Sequence, residues 1–125
     1  MNESIYKQHI LEHAQHPHNK AEMEHPTVSL PAKNASCGDS YIVYLDIEDG
    51  AIKEATFSGV GCAISQAAAS MLTDKLSNLS LEDARAITKE DIFELLGIEL
   101  SINRQKCALL VWNGFQQALE QYENA

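Results

Sequence analysis

The apolar positions of this chain change period several times, and each change marks an element. Ile5, Tyr6, Ile10 and Leu11 recur at helical spacing and predict an amphipathic helix over residues 4–16. Pro17 ends it, because the residue before a proline is pushed out of the helical region. His16-Pro17-His18-Asn19 reads as a turn, with loop up to Pro26. Val28 and Leu30 share one face of a short strand over residues 27–32, and Pro31 places that strand at a sheet edge. Tyr41, Val43, Leu45 and Ile47 then alternate through residues 41–48, with Asp46 and Glu48 on the opposite face. Asp49-Gly50 is a two-residue hairpin signal, and residues 51–60 return as the partner strand with Ala55 and Phe57 inward.

Beyond this hairpin the period lengthens. Gly59-Val60-Gly61-Cys62 closes the strand and opens a helix over residues 63–77. Its small face, Ser65, Ala67, Ala68, Ala69 and Ser70, lets it pack closely on a sheet. Ser80 with Asp83, and Thr88 with Asp91, resemble N-caps followed by an acidic N3 residue. They predict two short helices, the second stopped by Gly97. A last helix over residues 103–122 carries the stripe Cys107, Val111, Gly114, Ala118 and Tyr122.

Composition narrows the class. At 125 residues and 45% hydrophobic content, the chain reads as one domain, residues 1–125, with one modest core. No run approaches a membrane span. Met1-Asn2-Glu3-Ser4 lacks the pattern of a signal peptide, so a cytoplasmic location is expected. The net charge of −9 opposes nucleic-acid binding. Three cysteines is an odd number for a disulfide framework, and in a reducing compartment spaced cysteines point to metal or catalysis.

Those cysteines, with one aspartate, carry the candidate chemistry: Cys37, Asp39, Cys62 and Cys107. With Glu48 opposite Ala51, an unbroken hairpin register would set Cys37 opposite Cys62, with Cα atoms roughly 4.5–5.5 Å apart. A bulge would shift that register. Cys62 falls at a predicted helix start, where backbone N–H groups favour an anion. Cys107 falls in the first turn of the last helix, with Arg104 and Lys106 nearby to offset negative charge. Thiolates and a carboxylate suit both zinc and iron–sulfur centres. Either a zinc ion or an oxidised [2Fe–2S] unit brings +2 to a donor set of −4, so charge does not choose between them. The five histidines, His9, His13, His16, His18 and His25, cluster near the amino terminus; His9 and His13 are spaced i, i+4, but Ile10 stands where the metalloprotease motif needs glutamate, and a structural reading is preferred. Trp112 reads as core.

Taken together, these residues resemble a known family. Ile10-Leu11-Glu12-His13 with Pro17 and Asn19, Ser36-Cys37-Gly38-Asp39, and Gly59-Val60-Gly61-Cys62-Ala63-Ile64-Ser65 carry the likeness, with Ala69-Ser70-Met71, Arg104-Gln105-Lys106-Cys107-Ala108-Leu109-Leu110 and Trp112. The chain resembles the iron–sulfur cluster assembly family of IscU, SufU and the NifU amino-terminal domain along nearly its whole length. The resemblance implies an α+β fold of SufE/NifU-like type, a small antiparallel three-stranded sheet with helices packed on one face. It implies that Cys37, Asp39, Cys62 and Cys107 gather at one exposed end, hold a transient [2Fe–2S] cluster or Zn²⁺, and work with a cysteine desulfurase and recipient apo iron–sulfur proteins.

Branch marks are mixed. Lys106 stands where the scaffold branch has histidine, and Arg104-x-Lys106-Cys107 is closer to SufU. The 45 positions from Cys62 to Cys107 match the shorter scaffold spacing. His18 replaces the usual arginine after Pro17. Leu100-Ser101-Ile102-Asn103-Arg104 stands in place of Leu-Pro-Pro-Val-Lys, which argues against docking of a dedicated Hsp70 chaperone. The leading expectation is a cluster-assembly scaffold rather than an enzyme. The alternative is a zinc-dependent sulfur acceptor that activates the desulfurase, with Cys37 taking the sulfur. A purely structural zinc domain and a Cys37–Cys62 disulfide rank below both.

Overall fold

The computed structural model describes residues 3–34 and 38–124. Cys37, central to the sequence reading, lies outside the described residues. The elements in chain order are α1 (Glu3–Gln15), β1 (Val28–Asn34), β2 (Asp39–Glu48), β3 (Ala51–Val60), α2 (Ala63–Leu76), α3 (Leu81–Arg85), α4 (Lys89–Leu96) and α5 (Ile102–Glu123).

The three strands form one antiparallel sheet in the order β1-β2-β3. Asp49 and Gly50 both adopt positive φ, the backbone that a tight two-residue hairpin requires. Pro31 sits on edge strand β1, where its missing N–H breaks no ladder. Tyr41, Val43, Leu45 and Ile47 of β2 and Ala55 and Phe57 of β3 are all buried, as their alternation predicts. Helices α2 and α5 cover this face, α2 against β3 and α5 against β1 and β2. Gly114 lets α5 approach closely, since a Cβ there would lie 3.0 Å from the Ala32 Cβ. Each large α5 side chain buried on this face, such as Phe115 and Leu119, contributes about 1.5–3 kcal/mol. The fold is thus the expected α+β arrangement.

Local signals set the helix ends. Ser80 Oγ accepts the Asp83 N–H, and Thr88 with Asp91 forms a reciprocal capping box. Gly97 closes α4 in the left-handed region, and the Tyr6 ring of α1 packs against its bare Cα.

Three expectations are corrected. First, the β2–β3 register shifts by one between Asp46 and Ile47. Ile47 still faces Ile52, but Asp46 faces Glu54, so Lys53 is the extra residue. The ladder then ends with Ser40 opposite Val60, and the unbroken register that would set position 37 opposite Cys62 does not hold. Second, of the α1 stripe only Ile10 is buried, while Ile5 and Leu11 are exposed. Third, α5 starts at Ile102, so Cys107 lies in its second turn rather than its first.

Candidate metal centre

The site forms where β2 begins, β3 ends and α2 starts. Cys62 is the N-cap of α2, and its Sγ accepts the Ser65 N–H at 3.5 Å. Asp39, the first residue of β2, is 3% exposed, and its Oδ1 accepts the Cys62 N–H at 3.0 Å. Its other oxygen, Oδ2, lies 3.7 Å from Cys62 Sγ. Cys107 reaches the same point from α5 and is 7% exposed. One ligand atom from each of Asp39, Cys62 and Cys107 lies within 4.8 Å of the others. Cys62 is exposed, so the group opens to solvent on its side.

A buried hydroxyl pair supports the site from below. Tyr41 Oη and Ser65 Oγ are 2.7 Å apart, and a Cβ on Gly61 would lie 2.1 Å from Tyr41 Oη. Only glycine fits between Tyr41 and the cysteine at this approach. Burial pushes the Tyr41 pKa up to about 12; the Ser65 hydrogen bond opposes this, and negative charge on Asp39, Cys62 and Cys107 adds to it. Tyr41 therefore stays a neutral hydroxyl beside the anionic group.

The donor set fits a metal. Zinc holds sulfur at about 2.3 Å and carboxylate oxygen at about 2.0–2.2 Å, so a tetrahedral S···O edge is about 3.6 Å. The Asp39–Cys62 separation of 3.7 Å is close to that edge. Arg104 lines an apolar groove of about 360 Å³ beside Cys62, with Lys7, Ile10, Leu11 and Ile98. Lys106 is exposed to solvent. Trp112 is half-buried against the core, its Nε1 donating to the Ile87 carbonyl at 3.0 Å.

Another cluster escapes the sequence reading. The structure groups His13 with His18 and Asp74, rather than with His9. Burial and the neighbouring His18 hold the His13 pKa below its usual value, against the opposing charge of Asp74. The one hint in the sequence is the turn at Pro17, which folds His18 back toward α1.

Such a fold and site define a class of small α+β domains that present thiolates and a carboxylate at one open end. The family model for the NifU-like N-terminal domain matches residues 5–125, and the chain belongs to that family. It is 31% identical to the iron–sulfur cluster assembly scaffold protein IscU of Thermotoga maritima, over 93% of each chain. It is 27% identical to the zinc-dependent sulfurtransferase SufU of Bacillus subtilis, over 97% of this chain and 93% of that one. The crystal structure of a nitrogen-fixing NifU-like protein (N-terminal) from Brucella abortus shares the fold, with a TM-score of 0.79 at 19% identity over 98% of this chain and 96% of that chain. Among the described residues, no helix is long and apolar enough to cross a membrane.

Proposed function

We propose that this chain assembles a transient [2Fe–2S] cluster from iron and from sulfur delivered by a cysteine desulfurase, and passes it to recipient apoproteins. The observation that carries this reading is the meeting of a buried carboxylate and two cysteines, with Cys62 open to solvent. Cys37, two positions before Asp39, completes the donor set. The cluster is cargo here, so a site closed on every side would not serve. An oxygen ligand among soft thiolates favours release.

In this reading the Cys37 thiolate attacks the sulfane sulfur of the desulfurase persulfide, and the desulfurase thiolate leaves. Each sulfur then takes two electrons to become sulfide. Two ferrous ions supply two of the four, and an added thiol reductant supplies the others.

A second reading puts zinc on the same donors, whose chemistry suits zinc as well as an iron–sulfur centre. Zinc on these four residues would hold the thiolates until a desulfurase docks, and the chain would relay sulfur without holding the cluster. Anaerobic incubation with ferrous iron, cysteine, desulfurase and dithiothreitol separates the readings. The scaffold reading expects a coloured cluster that transfers to an apo-ferredoxin. Retained zinc, stimulated desulfurase turnover and no cluster would overturn it in favour of relay.

A further inference from the structure

His13 in the last turn of α1, His18 just past Pro17 and Asp74 on α2 place two imidazole nitrogens and a carboxylate oxygen within 4.8 Å of one another. Asp74 is twelve positions along α2 from Cys62. At 1.5 Å per residue that is about 18 Å, so this group is separate from the thiol site. We propose that it is a second metal site, taking a divalent transition cation of the zinc class.

The donor set suits such an ion, since two imidazoles and one carboxylate leave a coordination position for water. His13 and Asp74 are each held by a further side chain, and His18 is anchored through its backbone. His13 Nδ1 lies 2.7 Å from Ser70 Oγ, which also accepts the His18 backbone N–H at 2.7 Å. Asn19 Nδ2 donates to Asp74 Oδ1 at 2.9 Å and to Thr73 Oγ1 at 3.1 Å. That leaves Asp74 Oδ2 facing His18 Nδ1, 2.6 Å away. Outer partners of this kind fix the orientation of ligating imidazoles and carboxylates.

An ion pair between His18 and Asp74 does not account for His13. The two rings sit 4.6 Å apart, an arrangement that repels when both are charged. A shared cation would relieve that repulsion, with the 2.6 Å His18–Asp74 contact opening to a ligand edge of about 3.4 Å. A cavity of about 270 Å³ bordered by Glu12, His13, His16 and His18 gives the ion access. Once bound, it would tie the end of α1 to α2. Because α1 also lines the groove beside Cys62, occupancy would steady that wall.

The test is a calorimetric zinc titration of the full chain, with a thiol reagent reporting protection of the cysteines by the first equivalent. A second equivalent is expected that protects no further thiol. His18→Ala and Asp74→Asn, both at exposed positions, should each weaken it at least about tenfold and cancel its effect on the melting temperature. His9→Ala should leave it unchanged. Absence of a second equivalent, equal binding in His18→Ala and Asp74→Asn to that of the unchanged chain, or loss in His9→Ala alone would overturn the proposal.

Discussion

Cys107→Ala is expected to weaken zinc binding at the thiol site by on the order of 10²–10³-fold. Structural zinc sites carry an apparent binding energy of about 10–16 kcal/mol over four ligands, so one ligand accounts for about 2.5–4 kcal/mol. The fold should survive, because alanine suits a helix interior and Cys107 stands between the helical residues Lys106 and Ala108. Competition against a chelator of known affinity measures the loss, and Trp112 fluorescence during a melt reports the fold. Unchanged affinity in a folded variant would remove Cys107 from the site.

Asp39→Ala should have two opposite effects. The Cys62 N–H loses its charged acceptor, which costs about 1.5–3 kcal/mol of stability. The reconstituted cluster, however, should persist longer, because the exchangeable oxygen ligand is gone. Asp39→Asn separates these effects: its carbonyl can still accept the Cys62 N–H, yet an amide is a weak ligand. Urea denaturation and decay of the visible absorption measure the two quantities. Faster cluster loss in Asp39→Ala than in the unchanged chain would show that Asp39 retains the cluster instead of releasing it.

Much of the fold is legible in the sequence because its determinants are local. Asp49-Gly50, the Ser80 and Thr88 caps and Gly97 each impose a backbone conformation through one or two residues. The alternation in β2 sets its buried face for the same reason. The register shift between Asp46 and Ile47 is not legible, because nothing in Ile52-Lys53-Glu54 marks an extra residue. The α1 stripe misleads, since Tyr6 packs on Gly97 while Ile5 and Leu11 remain exposed. At the candidate site, the family resemblance carried by the motifs points to Cys37, Asp39, Cys62 and Cys107, but the hydrogen bond from the Cys62 N–H to Asp39 depends on where β3 ends. The His13–His18–Asp74 group joins residues more than fifty positions apart, and no local pattern reports that contact.

X-ray absorption at the zinc edge, on protein loaded with one equivalent, reads the ligands directly. Three sulfur neighbours at about 2.3 Å and one oxygen at about 2.0–2.2 Å are predicted. A shell of nitrogen and oxygen alone would contradict a metal centre built on Cys37, Asp39, Cys62 and Cys107.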